Sequence, residues 1–217
     1  DAYLLERSPD LLPNSWTLVT DAELQEIGDL YRYTTAKPGH DESYYRVAMV
    51  QPPQPVYFSE DFESGAEGWT AITSNGDTEW ELGEPVATNL AIAHSGEKAY
   101  GTDLDAPYTN DVTASLRSPV TDLTDVHCAK LRFWYFVDVS FGGEGVQLRI
   151  LDEGGNSLFK DDEDVGIFVE NTEEWTEFTM SLPIEAVDRK IQLEWLLLSD
   201  GNGPNGDGFF LDDVVIE

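Results

Sequence analysis

A single cysteine, Cys128, is all the thiol this chain of 217 residues holds. No intrachain disulfide can form, which excludes a disulfide framework. Cys128 follows His127, but successive side chains on a strand face opposite ways, so the pair reads as an idle or buried thiol beside a histidine. Positive charge is scarce too: 12 Lys and Arg stand against 43 Asp and Glu, a formal net charge of −31. That excludes general nucleic-acid binding, which needs cations to displace phosphate counterions. It also argues against anionic membrane surfaces. No run of eighteen apolar residues occurs, so no helical membrane insertion is expected. The three histidines, His40, His94 and His127, lack zinc-ligand spacing. HExxH, GxSxG and P-loop patterns are missing, so no enzyme activity is expected. Acids are abundant enough that residue type alone leaves a glycosidase pair open. The start at Asp1, without a leader pattern, reads as a piece or a processed form.

What the chain does have is turn residues and aromatics: 18 Gly, 11 Pro and 12% aromatic residues, within 41% hydrophobic overall. This composition suits an all-β protein with a real core. Residues 51–55, Gln-Pro-Pro-Gln-Pro, favour an extended spacer and mark a boundary. Residues 1–50 carry 9 acids and 4 bases; the rest carries 34 and 8, so the charge belongs mainly to the second part.

In the first part, short strands are expected at 2–7, 16–19, 30–34 and 44–50. Ser8-Pro-Asp10 and Lys37-Pro-Gly39 supply turns. Four strands are thin for a sandwich, where about seven are usual. In the second part, 56–217, strands are expected at 56–62, 79–82, 98–101, 114–117, 130–141, 145–151, 175–181, 190–198 and 209–217. Val146, Leu148 and Ile150 alternate with Gln147 and Arg149, as in a half-buried strand. Nine short strands without a helix pattern fit a two-sheet jelly-roll sandwich.

The closing segment, Gly208-Phe-Phe-Leu-Asp-Asp-Val-Val-Ile-Glu217, sets two acids inside an apolar strand. Strict alternation would put Phe210, Asp212, Val214 and Ile216 on one face and Leu211, Asp213 and Val215 on the other. Whichever face is buried takes one carboxylate with it, which is costly unless the carboxylate is paired or bound to metal. A second acidic strand, Phe58-Ser-Glu-Asp-Phe-Glu63, opens the same part. Acids on the first and last strands suggest a calcium ion tying the two together. The competing reading leaves Glu63 and Asp213 exposed and Asp212 hydrogen-bonded near a turn.

Two resemblances follow from longer patterns. "YLLERSPDLLPNSWTLV" with the closing "YYRVAMV" resembles the C-terminal half of fibronectin-type-III-like modules in large secreted bacterial proteins. "DFESG…GW", "AHSGEKAY", "LRFWYFV" and "GFFLDDVVIE", in that order, are similar to MAM-like jelly rolls and to cleaved-adhesin and choice-of-anchor-J modules. Carbohydrate-binding jelly rolls often share the closing "DDV". The second resemblance implies an extracellular, non-catalytic adhesive or accessory module with structural calcium. It points to Asp61, Glu63, Asp212 and Asp213 as ligands, with Lys98 contributing through backbone oxygen and Asp103 just beyond. The implied partner is an extracellular protein or a glycan. A subunit of an extracellular assembly, self-associating through the short first module, is a further alternative.

Six tryptophans are many for this length. Sugars stack on exposed aromatic rings, while sandwich cores also consume tryptophan. Trp134 is the best candidate for a sugar platform, since it shares a strand face with Arg132 and Asp138, with Tyr108 as a loop partner. The loop 200–208 carries Asp200, Asn202, Asn205 and Asp207, but Pro204 and Leu211 break an EF-hand pattern. Asn75, Asp77 and Glu79 are explained by turn chemistry, and Asp161-Asp-Glu-Asp164 by a solvated loop.

Overall fold

A computed structural model describes residues 2–20, 23–27, 30–35, 43–50, 54–86, 92–140, 144–159, 165–203 and 205–217. The turn at Lys37-Pro-Gly39, His40, residues 51–53 of the spacer, residues 141–143, the acidic run 161–164 and Pro204 lie outside the described residues. The chain divides into two compact units, Asp1–Gln54 and Pro55–Glu217.

The first unit has five strands: β1 (Ala2–Ser8), β2 (Thr17–Leu18), β3 (Glu23–Ile27), β4 (Leu30–Thr34) and β5 (Tyr44–Val50). β1 lies between β2 and β5, while β3 and β4 pair as a separate hairpin. Leu5 and Val19 are buried. The Ser8 hydroxyl accepts from Leu11 N at 2.9 Å, closing the turn after β1. Arg46 lies 4.4 Å from the centroid of the Trp16 ring and pairs with Glu6 at 2.6 Å.

The second unit continues with β6 (Phe58–Glu60), β7 (Thr70–Asn75), β8 (Trp80–Gly83), β9 (Ala99–Thr102), β10 (Thr113–Arg117), β11 (Thr121–Asp122), β12 (Lys130–Asp138), β13 (Gly145–Asp152), β14 (Gly166–Phe168), β15 (Thr176–Ser181), β16 (Lys190–Leu198) and β17 (Gly208–Ile216). Two six-stranded antiparallel sheets form a sandwich. One runs β14-β13-β16-β10-β7 with β11 also on β16; the other runs β15-β12-β17-β9-β8 with β6 also on β17. The fold is all-β, a jelly-roll-like sandwich.

The core follows from alternation on the long strands. Val146, Leu148 and Ile150 of β13, Leu193, Trp195 and Leu197 of β16 and Leu131 and Phe133 of β12 are all buried. Trp195 stacks on Trp69 at 5.7 Å and meets Phe133 edge-on at 5.4 Å. Trp69, Trp80 and Trp195 are thus core residues. A smaller cluster, Leu104, Phe136 and Phe210 with Trp175 against it, covers the outer side of the second sheet.

The terminal strand corrects the strict alternation. Phe209 and Leu211 point into the main core, but so do Val214 and Ile216. The step is a bulge: between Arg132 and Trp134 on β12, the partner strand advances from Val215 to Asp212. One extra residue on β17 shifts the side-chain alternation by one position. Asp213 takes φ 48°, the left-handed conformation that Asp tolerates better than most side chains. Phe210 and Asp212 therefore share the outer face, apart from Val214 and Ile216.

The bulge has a topological reason. On its other edge β17 pairs first with β9, through Phe210 and Leu211, and then with β6, from Val214 onward. Asp212 and Asp213 occupy the interval where the strand changes partner.

Candidate functional site

The segment 92–98 fills that interval. Ser95 N donates to Asp212 Oδ2 at 3.1 Å, and Asp213 N donates to Asp212 Oδ1 at 2.8 Å. The Ser95 hydroxyl donates to Asp213 Oδ1 at 3.0 Å, while His94 Nδ1 lies 2.6 Å from Asp213 Oδ2. The His94 ring stacks on Trp134 at 3.9 Å, nearly parallel, and meets Trp175 edge-on at 6.0 Å. Trp175 Nε1 donates to the Ile92 carbonyl at 3.1 Å. The segment is thus held by two carboxylates, two indoles and its own backbone.

Its far end is held by the turn that follows β6, which ends at Glu60, short of the expected strand to residue 62. Glu63 Oε1 accepts from Lys98 N at 2.7 Å and from Glu97 N at 2.9 Å. Those donors, Lys98 N first, lower the Glu63 pKa below its ordinary value. The Lys98 ammonium donates to the Glu63 carbonyl at 3.0 Å. Gly96 is required here: a Cβ would fall 2.3 Å from the Glu63 carboxyl carbon, and φ is +59°. Asp61 accepts from Glu63 N at 3.2 Å. It lines a depression together with Ser59, Glu60, Ser64 and Asp213.

Asp212 is fully buried. Burial first, and then the charge of Asp213, push its pKa up to about 7 despite the N–H groups that oppose the shift. His94, Asp212 and Asp213 form the one cluster of three metal-capable side chains among the described residues, with ligand atoms within 4.8 Å of one another. Ser95, His94 and Asp213 also have the residue types of an acyl-transfer triad. The connectivity is wrong for one: hydroxyl and imidazole both bond the carboxylate rather than each other.

Of the expected ligand set, Asp61 and Asp213 line one depression, Glu63 and Lys98 bond each other, and Asp212 and Asp213 both bond Ser95. Asp103 stands apart. Its N–H bonds the Glu79 carbonyl at 3.0 Å, and burial and neighbouring Glu81 and Asp105 raise its pKa. The absence of zinc-ligand spacing gives no hint of the part His94 plays here; the cue in the sequence is its place in the "HSG" stretch.

The expected sugar platform is divided. Trp134 is half-buried with one ring face covered by His94. Arg132 lies 3.7 Å from Glu177. Tyr108 is corrected outright: it is 1% exposed, and its hydroxyl donates to the buried Glu144 carboxylate, so it presents no ring to a ligand. Burial and then that bond raise the Tyr108 pKa to about 12. Asp138 ends β12 at the opposite end of the sheet from the Lys130 pairing with Glu217.

No family model matches the chain. A stretch of Bacillopeptidase F from Bacillus subtilis (strain 168) is 31% identical over 169 residues, covering 77% of this chain. The chain spans 11% of the length of that relative. Among solved structures, the K1 cleaved adhesin domain of Lys-gingipain from Porphyromonas gingivalis is 18% identical with TM-score 0.48, covering 74% of this chain and 96% of that one. A TmCBM61 structure in complex with beta-1,4-galactotriose is 20% identical with TM-score 0.47, covering 72% and 93%. The CBM22-1 xylan-binding domain from Paenibacillus barcinonensis is 17% identical with TM-score 0.44, covering 75% and 94%.

Proposed function

We propose that residues 55–217 are a non-catalytic binding module of a larger extracellular protein, braced by a calcium ion at the edge where segment 92–98 docks. One observation carries the reading. Glu63, in the turn after β6, and Asp212 and Asp213 of the last strand all bond segment 92–98, and the buried one, Asp212, lies beside a second acid and His94. Such an arrangement stabilises a fold when a cation completes it and strains the fold when none does.

Calcium takes six to eight hard oxygens, and the carboxylates proposed to hold it would have to draw together on the ion, since the metal-capable side chains already within 4.8 Å of one another are His94, Asp212 and Asp213. Asp61, Glu63 and Asp213 supply carboxylates, and the Lys98 carbonyl a backbone oxygen. Both N–H bonds to Glu63 land on Oε1, which leaves Oε2 for a cation. The ion would neutralise the clustered charge and tie the first strand to the last. Asp212 would act behind these ligands, holding Ser95 and the backbone of Asp213. The match to a short stretch of a much longer, peptidase-named protein supports a module that accompanies other parts. Residues 1–54 read in the same way, as the second half of a fibronectin-III-like unit within that larger protein.

Thermal melting tests this. Calcium at a hundredfold excess over its dissociation constant adds about 2.7 kcal/mol to stability. The melting temperature should rise by several degrees with calcium and fall with chelator. Asp213→Asn and Glu63→Gln should each remove the calcium response. A melting curve indifferent to both calcium and chelator would sink the proposal.

A further inference from the structure

Two deeply buried acids of the sandwich have plain partners. Glu194, 4% exposed, pairs with Arg117 at 2.7 Å. Glu144, 1% exposed, accepts from the Tyr108 hydroxyl and from Asp200 N. Asp212 is buried more completely than either, at 0%, and among the described residues no Lys or Arg pairs with it. What lies beside it is a second acid, Asp213, and an imidazole, His94. His94 Nδ1 is 2.6 Å from Asp213 Oδ2, so the ring serves Asp213 and leaves the Asp212 carboxyl without a cation.

We propose that His94 Nδ1, Asp213 Oδ2 and a carboxylate oxygen of Asp212 bind one zinc ion, with water in the fourth position. The inference goes beyond the calcium reading and does not depend on it, since the two have only Asp213 as a common ligand.

Three features select zinc. The first is spacing: ligand atoms of the three side chains lie within 4.8 Å of one another. A tetrahedral zinc with bonds of about 2.0–2.2 Å holds its ligand atoms about 3.3 Å apart. Nδ1 and Oδ2 would part slightly to admit the ion, and the Asp212 oxygen would close on it. The His94 and Asp213 side chains are 26% and 23% exposed, which gives the ion a way in and the side chains room to shift. The second is the donor set. Calcium takes oxygens alone, whereas one imidazole with two carboxylates suits a zinc-class ion. The third is charge. A divalent ion would neutralise both carboxylates at once, and a buried carboxylate gains most from such a partner.

The ligands are also set in place beforehand. The His94 ring lies on Trp134 at 3.9 Å and 12°, and meets Trp175 edge-on at 6.0 Å. Asp213 Oδ1 accepts from the Ser95 hydroxyl, which leaves Oδ2 to the ion. Asp212 accepts from Ser95 N on Oδ2 and from Asp213 N on Oδ1, and the His94 N–H also favours its charged form. A carboxylate has about four lone-pair sites, so one metal bond is still open to it. Zinc would replace the proton between Nδ1 and Oδ2, and Nε2 would carry the ring proton that remains. Bound there, the ion would fasten His94 to the terminal strand.

The test uses the full chain, stripped with chelator and dialysed free of it, at physiological ionic strength with millimolar magnesium to occupy scattered surface acids. Calorimetry with zinc chloride should show one site per chain with micromolar affinity. His94→Ala should weaken it about tenfold or more. His40→Ala and His127→Ala should leave it unchanged. Imidazole nitrogen NMR of the unaltered chain should show the His94 Nδ1 signal shift on zinc, which keeps the test open if His94→Ala fails to fold. No saturable binding at submillimolar zinc overturns the inference, as does binding that survives His94→Ala or a His94 signal that ignores zinc. The calcium melting response, read without zinc, should survive His94→Ala, so the two readings fail separately.

Discussion

The residue with most at stake is Asp212. Its carboxyl holds its proton to about pH 7 in the folded chain, against about 4 when unfolded. The folded state therefore binds more protons than the unfolded state between those values, and stability falls as pH rises through that window. In chelator, the melting temperature should decline from pH 4.5 to pH 7.5 by this contribution. Calcium should flatten the decline, because a nearby cation favours the ionised carboxylate. Melting curves across pH with and without calcium check both parts. A decline unchanged by Asp212→Asn would show that another group causes it. The sequence shows the paired acids plainly. It does not show which is buried, since that depends on a bulge that local composition does not encode. Asp103 illustrates the opposite error: close in sequence to Lys98, it turns back toward Glu79 and Glu81.

Among elements, the long strands are legible and the thin ones are not. β16 is read at 190–198, the span it occupies, because its length and apolar density admit little else. β7 escapes detection because Thr70-Ala-Ile-Thr-Ser-Asn75 is an edge strand, mostly exposed, with no alternation to betray it. β3 and β14 are missed for related reasons, being short and partnered on one side only. The segment 92–98 is the least legible element of all, having no regular structure. Its dependence on Gly96 is testable. Gly96→Ala should cost about 1–3 kcal/mol, from positive φ and from collision with the Glu63 carboxylate. Gly65→Ala also carries positive φ but meets nothing within 4 Å, and should cost less. Urea unfolding of both variants gives the comparison; equal losses would mean that the Glu63 contact contributes little.

At the scale of the molecule, charge sets the terms. A formal −31 on 217 residues repels itself in the compact state. Sodium chloride should raise the melting temperature even in chelator, with most of the gain reached once the screening length falls below about 10 Å, near 0.1 M. A calcium response that persists at 0.5 M salt would separate specific bracing from screening. Residues 55–217 enclose their own core, so this unit expressed alone should melt cooperatively and keep its calcium response. Loss of that response on removing residues 1–54 would contradict the division.

The position of β17 bears on how such a chain is made. It is the last strand in the chain, yet it lies inside its sheet, with β12 on one edge and β6 and β9 on the other. Until it emerges from the ribosome, β12 and β9 have no partner between them. The second sheet therefore cannot close until the end of the unit has been made, and its pairings join residues distant in sequence. The first sheet contains only strands made before β17, so it is the second sheet that completes only after synthesis has passed the acidic pair.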